Sequence, residues 1–161
     1  MNTFEPLLRA LVTGGVEFII VGGVAGTQHG SARVTYDIDI LYRRTGENIE
    51  RLTAAVAPLH PYLRGAPRNL PFKFDAETVK RGLNFTLTTD AGPLDCLGEI
   101  SGVGGYDTAA RHAVEADIFG LPCRFLSLDD LIAAKRAAGR RKDLEALAEL
   151  EVIREELRRL G

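Results

Sequence analysis

Apolar residues recur along this chain with two distinct periods. Leu7, Leu8 and Leu11 share one helical face, so the spacing predicts a helix over 4–12, ended by Gly14-Gly15. Residues 17–21 (Glu-Phe-Ile-Ile-Val) are short, β-branched and bounded by glycine, which reads as a buried strand. Residues 24–29 have room for one or two helical turns. Gly30-Ser31-Ala32 then turns the chain into a strand over 34–41. Helical spacing returns over 47–57 and stops at Pro58. Pro61, Pro67 and Pro71 mark the stretch between them as irregular chain. Residues 84–88 and 93–97 flank Asp90-Ala91-Gly92 as a hairpin, residues 98–105 are a Gly-rich loop, and 113–119 with 122–126 form a second hairpin turning at Gly120. Ser127-Leu128-Asp129-Asp130 resembles a capping box and starts a helix to Ala138. Gly139 breaks it. A last helix over 140–160 carries Leu144, Leu147, Leu150, Ile153, Leu157 and Leu160 at helical spacing.

Strands and helices interleave, but the hairpins imply antiparallel pairs. The expected fold class is therefore α+β, a mixed sheet with helices packed on it and a C-terminal helical pair, rather than a doubly wound parallel sheet. One domain is expected over 1–161, with its core in about 16–126 and the C-terminal helices in 127–161.

Composition changes this picture little. The 161 residues are 45% hydrophobic and 26% charged, enough apolar content for a real core. The formal net charge of −2 argues against strong binding to duplex DNA. The first residues lack a basic and then apolar leader, and no apolar run reaches bilayer length, so a cytoplasmic protein with no membrane partner is expected. Cys96 and Cys123 lie far apart in apolar stretches and read as reduced core thiols. Three scattered histidines give no zinc pattern.

One strand breaks the pattern. Val34-Thr35-Tyr36-Asp37-Ile38-Asp39-Ile40-Leu41 carries two aspartates where strands disfavour them. Side chains at i and i+2 share a face, so the two carboxylates stand side by side and repel unless a cation bridges them. Just upstream, Val21-Gly22-Gly23-Val24 is a strand that turns through glycine into a helix, where backbone N–H groups can approach a phosphate. It has neither the third glycine of a dinucleotide fingerprint nor the lysine of a P-loop. A third acid, Asp95, lies between Leu94 and Cys96 on a later strand. Three carboxylates can hold two divalent cations, and hard oxygen ligands favour Mg²⁺ or Mn²⁺.

In this order, these pieces resemble the nucleotidyltransferase superfamily related to DNA polymerase β: Val21-Gly22-Gly23, then Asp37-Ile38-Asp39, then Leu94-Asp95-Cys96. The Arg33-x-Thr35-x-Asp37-x-Asp39 segment, with Leu131–Arg136 and Arg141-Lys142-Asp143-Leu144, resembles a narrower bacterial and archaeal branch that includes the AbiEii-like abortive-infection toxins. The resemblance implies the nucleotidyltransferase fold and metal-dependent transfer of a nucleoside monophosphate from a nucleoside triphosphate to an acceptor hydroxyl. It implies metal ligation by Asp37, Asp39 and Asp95, with Asp95 also accepting the hydroxyl proton. It implies a phosphate seat at Gly22 and Gly23. The acceptor is left open between a protein side chain, an RNA 3′ end and a small molecule. An antitoxin protein is the implied partner if the chain is the toxin of a pair.

Two cations are candidate phosphate contacts, Arg33 before the acidic strand and Lys135 on the capped helix. Each has a plain structural alternative as a solvated or sheet-edge charge. Lys142 and Asp143 can instead pair on the last helix, and His29 reads as structural. Many members of the superfamily carry Gly-Ser, whose hydroxyl touches phosphate. Here Gly-Gly is followed by Val24, so that contact falls to backbone or to Ser31. This departure keeps a catalytically inactive binding module with the same fold as the alternative. A sugar-nucleotide glycosyltransferase using Asp-x-Asp ranks third.

Overall fold

The computed structural model describes residues 4–32 and 37–161. Along the chain these form α1 (Glu5–Thr13), β1 (Phe18–Val21), α2 (Gly22–Gln28), β2 (Ile38–Tyr42), α3 (Gly46–Val56), a 3-10 turn (Ala57–Leu59), β3 (Tyr62–Leu63), α4 (Ala76–Arg81), β4 (Phe85–Thr89), β5 (Gly92–Leu97), α5 (Tyr106–Ala110), β6 (Val114–Ile118), β7 (Leu121–Phe125), α6 (Leu128–Ala138) and α7 (Arg141–Leu160). The strands make one mixed sheet in the order β3-β4-β5-β2-β1-β7-β6. β1 runs antiparallel to β2 and parallel to β7, while β2 runs parallel to β5. The two expected hairpins are β4–β5 and β6–β7. The α+β class is as expected.

Register sorts the side chains onto two faces, because cross-strand partners point the same way and neighbours alternate. Ile38, Ile40, Leu94 and Cys96 fall on one face and are fully buried. Asp39 and Asp95 are themselves partners and fall on the other. Cys96 and Cys123 are free, buried thiols, and burial raises both above the ordinary thiol range, Cys123 to about 11.

The structure adds three elements the hydrophobic pattern did not predict. The proline stretch contains β3, whose Tyr62 and Leu63 pair with Thr88 and Leu87. The Tyr62 hydroxyl donates to the carbonyls of Pro67 and Leu70, which folds the loop back on itself. α4 is capped by Asp75, which accepts from the Thr78 N–H at 2.9 Å, and contributes only Val79 to the core. One turn of helix, α5, follows the Gly-rich loop. Each is too short for a period to show, and tertiary packing supplies what propensity lacks.

Apart from the strand expected over 34–41, whose first residues lie outside the described ones and which is strand from Ile38, the remaining expectations shift by at most three residues at their ends. The 47–57 helix ends in the 3-10 turn that holds Pro58. α6 starts on the predicted cap, Ser127 accepting from the Asp130 N–H at 3.1 Å, and ends at Gly139 in the left-handed conformation. α7 packs along α6, with Leu150 in the core and the Arg136–Glu151 pair at 2.8 Å across the helices. Its last leucines, Leu157 and Leu160, remain exposed. At the sheet edge, Asp117 stands opposite Pro122, which has no N–H. That pairing turns the backbone groups of Glu115 and Asp117 outward, and their carboxylates discourage a second strand from adding there. Among the described residues no helix is long and apolar enough to cross a membrane.

Candidate active site

Asp39 is the second residue of β2, opposite Val21 on one side and beside Asp95 on the other. The apolar faces of Ile38 and Ile40 lock the register, since a slip of one residue would bury the carboxylates in the core. The Asp39 and Asp95 carboxylates stand side by side on the same face of neighbouring strands. Asp39 is accordingly pushed up to about 7, first by burial, then by the charge and hydrogen bond of Asp95 and the charge of Asp37, with Lys135 opposing the shift.

Gly22 makes room for this carboxylate. Its φ is +67°, and a Cβ placed there would lie 2.1 Å from Asp39 Oδ2. Both the backbone twist and the close approach therefore require glycine. On the far side of Asp95 stands Arg64, which follows β3. Its Nη2 donates to Asp95 Oδ1 at 2.7 Å and to the Leu87 carbonyl at 2.6 Å.

Above Asp39 a cavity of about 280 Å³ is floored by Val21, Leu97 and Leu126. Lys135 and Arg140 enter it from the helical pair. Both cations are held by Asp143, only 1% exposed, which pairs with Arg140 Nε at 2.6 Å and Lys135 Nζ at 3.6 Å. Arg140's hydrogen bond and the nearby lysine hold the Asp143 carboxyl below the usual range against the opposing effect of burial. Asp143→Ala leaves two cations without their anchor. Arg140 is largely solvated, so the expected loss is about 2 kcal/mol rather than the larger cost of a fully buried pair, and urea unfolding checks it.

The sequence-predicted residues are distributed as follows. Asp39, Asp95, Gly22 and Lys135 converge. Asp37 sits exposed just before β2, close enough for its charge to raise Asp39. Gly23 follows Gly22 in the first turn of α2 and is exposed. The Ser31 hydroxyl donates to Glu149 Oε1 at 2.6 Å, so it ties the turn to α7. Arg33, Thr35 and the start of the expected strand lie outside the described residues. His29 Nε2 lies 2.7 Å from the Leu126 carbonyl, a structural contact as expected. Gly102 packs on α6, where a Cβ would meet the Ala133 carbonyl at 2.7 Å. Lys142 is exposed, whereas Asp143 is buried.

Sequence reasoning missed Arg64 and Arg140 and undervalued Asp143. Asp143 had a readable signal, because it continues the stripe of Leu147 and Leu150 on α7. Arg64 had none, since only β3–β4 pairing brings it to Asp95.

Among the described residues no group of three or more acidic, histidine or cysteine side chains is drawn together tightly enough to hold a metal. The Asp39–Asp95 pair nonetheless fits a hard divalent cation. Its donors are all carboxylate oxygens, and their register pairing on one face leaves two like charges side by side that a cation would neutralise. A larger groove of about 790 Å³ lies elsewhere, near Arg43, Tyr106 and Arg124. There Arg43 is already paired with Glu17 at 2.8 Å and Asp107 at 3.3 Å.

No known family profile and no curated protein sequence matches the chain. Solved structures do. The solution structure of the antibiotic-resistance factor ANT(2'')-Ia is 22% identical, aligning 97% of this chain with 89% of its own at a TM-score of 0.55. The crystal structure of ANT(2'')-Ia in complex with adenylyl-2''-tobramycin is 21% identical, aligning 98% with 97% at 0.56. A Thermotoga maritima protein assigned to the nucleotidyltransferases is 14% identical, aligning 99% with 96% at 0.54. The chain thus has the fold of these nucleotidyltransferases.

Proposed function

We propose that this protein transfers a nucleoside monophosphate from a nucleoside triphosphate to an acceptor hydroxyl. The observation that carries the reading is the Asp39–Asp95 carboxylate pair beneath a cavity entered by Lys135 and Arg140. A site with paired acids on one side and paired cations on the other suits a metal-bound triphosphate. Asp39 and Asp95, with Asp37 at the mouth, would hold Mg²⁺ or Mn²⁺, which when bound neutralises the triphosphate and the departing pyrophosphate. Lys135 and Arg140 hold phosphate oxygens from the helical side. Gly22 and Gly23 let the backbone come close to the same anion. Asp95, partly exposed, takes the proton of the acceptor hydroxyl.

The finer reading follows the sequence resemblance. It makes the chain the toxin of a toxin–antitoxin pair, with a protein, an RNA 3′ end or a small molecule as acceptor. ANT(2'')-Ia is known as an adenylyl-tobramycin complex, which favours including small hydroxylated molecules among the acceptors tried.

The test adds each α-³²P-labelled nucleoside triphosphate with Mg²⁺ to a cell extract and the purified protein. Label is expected to enter one macromolecular or small-molecule fraction, with pyrophosphate released in equal amount. Lys135→Ala is expected to raise the triphosphate KM roughly 10-fold or more. Expression in a bacterial host is expected to arrest growth, and Asp39→Asn to relieve it. Nucleotide binding without any pyrophosphate release would replace this reading with the inactive binding module.

A further inference from the structure

Arg64 lies beside Asp95, and the proposed transfer uses it in no step. Its place is built, not incidental. The Arg64 N–H donates to the Thr86 carbonyl at 3.0 Å, extending the β3–β4 pairing by one residue. Thr86 is itself the β4 partner of Asp95. The backbone therefore delivers the guanidinium across β4 to the carboxylate. One nitrogen, Nη2, then spans the Leu87 carbonyl and Asp95 Oδ1. The two side chains are about equally shielded, Arg64 at 34% and Asp95 at 29% exposure. The loop beyond is fastened by the Tyr62 hydroxyl, and the Arg68 guanidinium stacks over the Tyr62 ring at 4.9 Å.

We infer that Arg64 is a positioning residue and internal counter-ion for Asp95. It fixes the angle of the carboxylate that meets the acceptor and offsets the repulsion between Asp95 and Asp39. The inference rests on the reading of the Asp39–Asp95 pair as the cation-holding site. It has a signature that a merely structural arginine lacks. A positive charge 2.7 Å from a ligand carboxylate opposes a metal ion at that carboxylate. Removing it strengthens metal binding, while the freed carboxylate loses its fixed direction and turnover falls. Affinity and rate therefore move in opposite senses.

The experiment compares wild type, Arg64→Ala and Arg64→Lys. Mn²⁺ binding is read by electron paramagnetic resonance, melting with and without EDTA by calorimetry, and turnover by pyrophosphate release. Arg64→Ala is expected to bind Mn²⁺ roughly 5-fold more tightly, on the Coulombic argument above. It should melt lower in EDTA yet gain more from Mn²⁺ than wild type does. Its kcat is expected to fall roughly 10- to 100-fold with the triphosphate KM unchanged, the range found for groups that orient metal ligands. Arg64→Lys restores a charge without the planar fork, so Mn²⁺ affinity returns towards wild type while kcat recovers only in part. If the alanine variant does not fold, Arg64→Gln keeps polar reach without charge and takes its place.

Unchanged or weaker Mn²⁺ binding in the variant, beside clear binding in wild type, overturns the role of Arg64 alone. Failure of wild type to bind Mn²⁺ at all overturns the site reading beneath it. Tighter Mn²⁺ binding with unchanged kcat leaves a counter-ion without a positioning role and overturns the inference as stated.

Discussion

Asp39→Asn is expected to abolish nucleotidyl transfer and, in EDTA at pH 8, to raise the melting temperature. The two effects have one cause. In the metal-free protein, burial and the neighbouring Asp95 and Asp37 push the Asp39 carboxyl up to about 7. Unfolded, it titrates near 4. Below about pH 4 both states hold the proton and Asp39 costs nothing. Between about 4 and about 7 the folded state keeps a proton that the unfolded chain has released, so stability falls as pH rises. Above about 7 the loss is complete, on the order of 4 kcal/mol. Asparagine carries no such penalty, and its amide can donate to the Asp95 carboxylate.

A gain of roughly 8–16 °C is therefore expected at pH 8, shrinking towards zero near pH 4. Scanning calorimetry at the two pH values checks the slope. Activity should fall by roughly 10³-fold or more, because the variant loses a carboxylate proposed to hold the cation. A variant that melts lower than wild type at pH 8 would show that Asp39 is held by favourable contacts and not by a tolerated repulsion. Adding Mg²⁺ should narrow the gap in melting temperature by stabilising wild type and not the variant.

Gly22→Ala is expected to act on the same carboxylate from the other side. A non-glycine residue at φ +67° pays for a left-handed backbone, about 1–2 kcal/mol. The added methyl would also stand 2.1 Å from Asp39 Oδ2. That contact is impossible, so either the carboxylate or the β1–α2 turn must move. Together these effects place the loss near 3 kcal/mol, with activity down at least roughly 10²-fold. The same change at Gly23 adds a methyl on an exposed residue of α2 and should cost well under half as much stability. Equal losses at the two glycines would deny Gly22 its special contact. Urea unfolding and pyrophosphate release on both variants decide it.

Much of this arrangement was legible in the residues. Period-2 and period-3.6 patterns placed β1, the end of β2, the two hairpins and the long helices to within about three residues. Glycine and proline punctuation did the rest, as at Gly139, whose left-handed φ of 64° stops α6. Asp39 was legible because an acid inside a β-branched run contradicts its surroundings. Asp95 was legible for the same reason between Leu94 and Cys96. β3, α4 and α5 were not legible, since they span two, six and five residues and carry no period of their own.

What the sequence determined by itself was local: which segments bury one face, where they stop, and which strands carry an acid that does not belong in a core. Those are set by side-chain period and backbone stereochemistry over a few residues. The tertiary structure alone decided adjacency. Parallel pairing of β2 with β5 put Asp39 beside Asp95, 56 positions apart, because register aligns the buried Ile38 and Ile40 with Leu94 and Cys96. Pairing of β3 with β4 brought Arg64 to Asp95, and packing of α7 on α6 turned Asp143 inward to hold Lys135 and Arg140. Contacts of that kind depend on how faces stack and strands align across the whole sheet, and no window of residues contains them.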